Sequence, residues 1–255
     1  MRRDAGGTLA ALVTTTATAR AFVAGATGYT GRAVVEVLRA QGIETIAHIR
    51  PDSARVTEHA ARFEGQGARV DRTPWEAEAI AQTLERERPT IVFALLGTTR
   101  SRARSEGMAA QQAYARVDFG LTKWLIDGAA KLSPLPRFVY LSAAGVRADA
   151  TNAYVAARAR CEAALRESEV PWTIARPSFI TGSDREESRP LERIGAAVGD
   201  GVLAFAGLLG GGKLRERYRS TDATTLARGL VRVALDPAFE RRVAQSEDLR
   251  PTQSG

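Results

Sequence analysis

A doubly wound α/β fold built on a parallel sheet is predicted by three features of the 255-residue chain. Apolar runs of strand length alternate with amphipathic runs of helix length, the first strand-to-helix join carries Gly25, Gly28 and Gly31, and no internal repeat divides the sequence. Alternation of this kind folds as a sheet covered by helices on both faces, closed by short connections.

The glycine join is the most sharply defined stretch. Phe22-Val-Ala-Gly25 reads as a strand running into a turn, and residues 33–40 read as an amphipathic helix leaving it. In that order Gly25 serves a tight turn, Gly28 lets the backbone approach a pyrophosphate, and Gly31 lets the helix pack close to the strand. The phosphates would sit at the helix N-terminus, where unpaired N–H groups favour an anion. Gly25, Thr27, Gly28, Tyr29, Thr30, Gly31 and Arg32 are therefore the expected phosphate-binding residues of a dinucleotide site.

Gly42 ends this helix, and residues 43–49 make a second strand that runs into Arg50-Pro51-Asp52-Ser53. That strand end faces the adenosine ribose in a dinucleotide fold, where a carboxylate selects a free 2′-hydroxyl and an arginine accepts a 2′-phosphate. Arg50 stands there with no carboxylate before Asp52, so Arg32 and Arg50 together predict NADP(H) over NAD. Both arginines also fit as solvated surface residues. Residues 68–71 form a short third strand whose Asp71 is expected to reach the adenine, and residues 75–88 a helix with Pro74 at its start.

Residues 90–96 read as a buried strand whose Leu96-Gly97-Thr98 end lies at the carboxyl edge, where open parallel sheets bind ligands. A helical region clearest over residues 113–131 leads to a fifth strand with Ser142 at its tip. Residues 152–169 are expected to be helical, and residues 172–175 a sixth strand followed by Arg176-Pro177. These elements give a nucleotide-binding domain over residues 20–177. Residues 178–246 change character, with a charged stretch at 181–190 and a glycine-rich one at 191–212, and are expected to form a small lid or substrate region packed on the same domain. Residues 1–19 are expected to be a loose extension, poorly matched to a signal peptide because threonines break their apolar run, and residues 247–255 a disordered tail.

Composition narrows the function classes. The formal charge is +7, yet nearly all basic residues are arginines scattered along the chain, without a basic run interleaved with aromatics, which argues against a nucleic-acid partner. One cysteine, Cys161, excludes an internal disulfide and fits a cytoplasmic setting. Only two histidines, His48 and His59, argue against a metal centre, and no run reaches the length of a membrane span.

Ser142, Tyr154 and Arg158 form the candidate chemical centre. Tyr154 and Arg158 stand at i and i+4 on one helix face, and Ser142 arrives from the sheet edge. A phenol beside a cation is suited to exchange a proton with a carbonyl or alcohol, and the serine would hydrogen-bond the same oxygen. Each residue also fits a plain structural role: Tyr154 with its hydroxyl in water, Arg158 paired with Glu162, and Ser142 capping its turn.

These residues, with the glycine turn, resemble the extended or atypical short-chain dehydrogenase/reductases, whose pattern is serine, tyrosine and a lysine four residues on. Leu96-Gly-Thr-Thr-Arg100, Glu106-Gly107, Arg116-Val-Asp118, Leu141-Ser142, Ala175-Arg-Pro177 and residues 185–190 are further similar to the Tat-interacting-protein subfamily of NADPH-binding oxidoreductases, over residues 20–235. The resemblance implies NADPH held by the glycine turn, Arg32, Arg50, the Gly97-Thr98 loop and the residue at 158 on the nicotinamide ribose, with Pro177 near the nicotinamide. It departs at Arg158, where lysine is usual, and at Ala143, where many relatives carry a second serine. Two functions follow as expectations. One is an NADPH-dependent oxidoreductase reducing a carbonyl-type small molecule, and the other a non-catalytic NADP(H)-binding sensor with a protein partner; either would be a monomer or homodimer.

Overall fold

The computed structural model describes residues 19–98, 107–178 and 222–251, and in them every strand joins one parallel sheet. The chain runs β1 (Arg20–Ala24), α1 (Tyr29–Ala40), β2 (Glu44–His48), α2 (Val56–Gly65), β3 (Arg69–Asp71), α3 (Ala77–Glu87) and β4 (Ile91–Ala94). Next come α4 (Ala110–Ala113), a π-helical turn (Tyr114–Gly120), α5 (Leu121–Ala129), β5 (Arg137–Leu141), α6 (Ala153–Glu167) and β6 (Trp172–Arg176). The last described elements are α7 (Ala223–Leu235) and β7 (Arg242–Gln245). Strand order is β3-β2-β1-β4-β5-β6-β7, so the order reverses between β1 and β4 and opens a crevice at their carboxyl ends. The doubly wound, Rossmann-like architecture read from the alternating pattern is the one observed.

Side chains alternate across the pleat and feed two cores. Ala21 and Val23 of β1 point to the face covered by Val34 and Leu38 of α1, Phe63 of α2, and Leu226 and Leu230 of α7. Phe22 and Ala24 point to the other face, under Ile80 and Leu84 of α3, Leu125 of α5 and Leu165 of α6. The central strands are buried on both faces, which is why they read as continuous apolar runs. Asn152 caps α6 by accepting from the Tyr154 and Val155 amides, and Asp222 caps α7 through the Thr225 amide.

The end of the chain corrects two expectations. Sequence reading stopped the sheet at its sixth strand, but Arg242–Gln245 pairs in parallel with β6, aligning Ala175 with Ala244. Four residues with only Val243 and Ala244 apolar are too short to carry a strand period. The tail expected to be loose from Glu247 is packed as far as it is described, with Leu249 only 1% exposed in the first core. The remainder of the expected tail, the extension up to residue 18, and most of the expected lid, residues 185–190 included, lie outside the described residues.

Leu249 lies against Gly229 of α7, where an added Cβ would collide with the Leu249 backbone. Gly229→Ala is therefore expected to destabilise the fold by about 1–3 kcal/mol through overpacking, despite alanine's better helix propensity. A chemical-denaturation midpoint equal to or above that of the wild type would contradict this packing.

Candidate functional site

The glycine turn has the shape a phosphate group needs. Gly25 has φ +83°, and a Cβ there would lie 2.7 Å from the Leu95 carbonyl oxygen, so only glycine lets the turn pass this close to β4. At Gly31 a Cβ would run into the Gly25 carbonyl. Gly28 differs, since its Cβ would meet only the Gly25 oxygen, at 3.2 Å, among the described residues, leaving open room in front of the turn. Gly28 itself caps α1 without a side-chain hydrogen bond, and no acidic residue stands in the first helical turn. The positive end of α1 is thus kept clear for an anion. Thr27, Tyr29 and Thr30 surround the turn, and Arg32 donates to the Thr27 carbonyl at 2.9 Å, bracing it.

Positive charge gathers beside this turn. Arg50 is exposed at the end of β2, with Asp52 3.7 Å away, and Arg55 opens α2 beside Glu58 at 3.2 Å. Burial lowers the His59 pKa, and the guanidinium groups of Arg55, Arg32 and Arg62 add to the depression against an opposing pull from Glu58. Asp71, the residue expected to reach the adenine, stands at the end of β3. Its carboxylate accepts from the Thr73 hydroxyl at 2.8 Å and the Thr73 amide at 3.2 Å, and lies 3.8 Å from His48, so it holds the turn after β3.

Arg158 is the centre of the crevice floor. Its guanidinium is buried between the tips of β4 and β5. Nη1 donates to the Leu141 carbonyl and to the Tyr140 hydroxyl at 3.3 Å, and Nη2 to the Leu96 carbonyl at 3.2 Å and Asp118 Oδ1 at 3.1 Å. Nε has no hydrogen-bond partner among the described residues. Gly97 lacks a Cβ where one would lie 2.8 Å from Nη2. Burial alone would lower the Arg158 pKa, but the neighbouring Tyr140 and Tyr154 phenols and the Asp118 carboxylate outweigh it and hold the group charged, well above its ordinary value. Burial in turn raises the Tyr140 and Cys161 pKa values, which keeps both neutral; Cys161 is a buried structural thiol that donates to the Asp118 carbonyl at 3.2 Å.

Asp118 and Glu162 are the residues that sequence reasoning did not place at the site. Asp118 is wholly buried in the π-helical turn, and its Oδ2 accepts from the Thr98 amide at 3.0 Å. Glu162 accepts from the Ser142 hydroxyl at 2.6 Å, from Arg176 at 2.9 and 2.6 Å, and from Arg166 at 2.9 Å. Burial pushes its pKa up, yet the Arg176 and Ser142 hydrogen bonds and the charge of Arg176 prevail and bring it below the ordinary glutamate value. Asp118 was visible only within the Arg116-Val-Asp118 motif, and Glu162 only as an i+4 neighbour of Arg158, a pairing the structure replaces with two separate networks.

Of the three candidate chemical residues, Tyr154 and Arg158 lie against each other, and Ser142 is hydrogen-bonded to Glu162 of the same helix. The Arg158 guanidinium carbon is 5.2 Å from the centroid of the half-buried Tyr154 ring, which also packs edge-on against Tyr114 at 5.5 Å. The Tyr154 hydroxyl has no hydrogen bond among the described residues. Ser142 has its proton committed to Glu162 on the α6 side of the sheet, and Ala143 offers no hydroxyl beside it. The Pro177 carbonyl accepts from the Ala144 amide at 2.9 Å, joining the tips of β5 and β6.

Among the described residues no group of three or more histidine, cysteine or acidic side chains could hold a metal, and no helix is long and apolar enough to cross a membrane. No curated protein matches the chain. Similar solved structures share the fold at low identity. The anaerobillin reductase ChuY of Escherichia coli O157:H7 is 16% identical with TM-score 0.59, over 91% of this chain and 100% of its own. A short-chain dehydrogenase/reductase superfamily protein of Agrobacterium tumefaciens with bound NAD is 20% identical with TM-score 0.58, over 88% and 76%. The UDP-glucose 4-epimerase of Thermus thermophilus in complex with NAD is 18% identical with TM-score 0.60, over 85% and 75%. A family profile described as NAD(P)H-binding matches residues 25–202, a span that begins at the first glycine of the turn and includes the floor of the crevice, and the chain belongs to that family.

Proposed function

We propose that the protein uses NADPH to reduce a carbonyl-type small molecule, with Tyr154 as the proton donor. The observation that carries this reading is the Tyr154 hydroxyl, which has no described partner while its ring rests over the Arg158 cation at the carboxyl ends of the strands. When bound, NADPH supplies the hydride. Tyr154 delivers a proton to the oxygen that gains charge. The glycine turn holds the pyrophosphate, and Arg32, Arg50 and Arg55 attract the 2′-phosphate. The match to the full length of ChuY, a reductase by its description, supports a reductase over the longer epimerases.

A second reading, an NADP(H)-binding sensor without catalysis, is favoured by a specific observation. The Ser142 proton is committed to Glu162, and the Arg158 Nη donors are committed to groups of the protein. One set of measurements separates the two. Calorimetry is expected to show NADPH binding at least about tenfold tighter than NADH, or about 1.4 kcal/mol, with Arg50→Ala weakening NADPH and barely touching NADH. NADPH consumption against aldehydes, ketones and quinones should fall by about 10²–10⁴-fold in Tyr154→Phe with cofactor affinity unchanged. Tight NADPH binding with no turnover on any acceptor would leave the sensor reading in place of the reductase.

A further inference from the structure

Asp118 sits where three parts of the site meet, and each carboxylate oxygen serves a different one. Oδ2 holds the Thr98 amide of the loop after β4, and Oδ1 holds Arg158 of α6. Its carbonyl accepts from the Thr122 hydroxyl at 2.7 Å and from Cys161, which fixes the π-helical turn on which it rides. A π-helical turn shifts its side chains out of α register, and here it carries a carboxylate to the sheet tips. The loop it holds is the wall facing the glycine turn, since the Leu95 carbonyl and Leu96 amide are the atoms that exclude a Cβ at Gly25.

We propose that Asp118 is a positioning residue for the cofactor: through its hydrogen bond to the Thr98 amide it sets residues 96–98 as the wall of the crevice, while Arg158 neutralises the carboxylate and joins the same wall to β5. The inference rests on the NAD(P)H-binding assignment and deepens it. Asp118 need not touch the cofactor, because it acts through the backbone of Gly97 and Thr98. The ion pair with Arg158 helps a buried carboxylate take this position. The absence of a Cβ at Gly97 makes room for it.

A merely structural ion pair and a positioning acceptor respond differently to replacement. Exchanging the whole pair for apolar residues, Asp118→Leu with Arg158→Met, removes both charges and is compatible with a stable fold. It also removes the acceptor for Thr98. Asp118→Asn with Arg158→Met keeps an amide oxygen there. NADPH and NADH titrations by calorimetry on the full chain, with hydrogen exchange at the Thr98 amide in the absence of cofactor, read the difference. The leucine pair is expected to lose Thr98 protection and weaken both cofactors by about tenfold or more, and the asparagine pair, which lacks Arg158 equally, to keep protection and bind both cofactors at least about threefold more tightly than the leucine pair.

Wild-type affinity in the leucine pair would overturn the proposal, as would equal losses in both pairs. Should the leucine pair not fold, Asp118→Asn alone carries the test, and loss of Thr98 protection with affinity intact overturns it. A wild type that prefers NADH would sink the 2′-phosphate assignment alone, because residues 96–98 face the glycine turn and not the end of β2. A wild type that binds neither cofactor takes this inference down with the assignment.

Discussion

Arg158→Met is expected to lower the free energy of unfolding by about 3–5 kcal/mol, because it removes one half of a buried ion pair with Asp118. Asp118 is 0% exposed and the Arg158 side chain 6% exposed, so water does little to replace the pair once it is broken. The Leu96 and Leu141 carbonyls and the Tyr140 hydroxyl lose their donor at the same time. Urea titration gives the comparison, with the denaturant slope checked for a change in two-state behaviour. Adding Asp118→Leu should recover most of the loss, so that the two changes are far from additive. A single-variant cost below about 1 kcal/mol would show that the pair is not closed to solvent.

Acid should weaken the fold through Glu162. Its folded-state pKa lies below the ordinary glutamate value because Arg176, Arg166 and Ser142 all bond the charged form. A depressed carboxylate pKa adds stability that is fully present above the unfolded value, about 4.3, and is lost as pH falls through the folded value. Glu162→Gln removes that titration. At pH 7 the variant is expected to be less stable by about 1–3 kcal/mol, since Arg176 and Ser142 lose charge-assisted bonds. The gap to the wild type should narrow as pH is lowered from about 5 towards 3. Thermal unfolding across that range reads it, and a constant gap would mean that Glu162 does not titrate with the fold.

Much of the frame was legible because it rests on local patterns. The apolar runs gave β1, β2, β4, β5 and β6, and Gly25, Gly28 and Gly31 marked the turn between β1 and α1. The helix of Tyr154 and Arg158 was placed to within two residues at each end. What the side chains do was less legible. Spacing puts Arg158 and Glu162 on one helix face and suggests that they pair. In the fold Arg158 reaches the carbonyls of two strand tips and Asp118, while Glu162 is taken by Arg176 from β6, and no local pattern encodes such partners. Ser142 was read as facing the crevice because it stands at a strand tip. Its hydroxyl donates to Glu162, on the same helix as Tyr154 and Arg158, a partner that no local pattern names. Strand β7 and Leu249 were missed because a short edge strand and a single buried leucine carry no period.

The packing of Leu249 and α7 against α1 sets an order of events for a chain emerging from the ribosome. The half that carries the glycine turn is made first, yet Val34 and Leu38 of α1 share their core with Leu226, Leu230 and Leu249, which are made some two hundred residues later. Until those residues arrive, one side of the sheet has an open apolar wall. The nucleotide turn therefore reaches its final support after the rest of the sheet has been translated, and incomplete chains present this wall to chaperones or to one another.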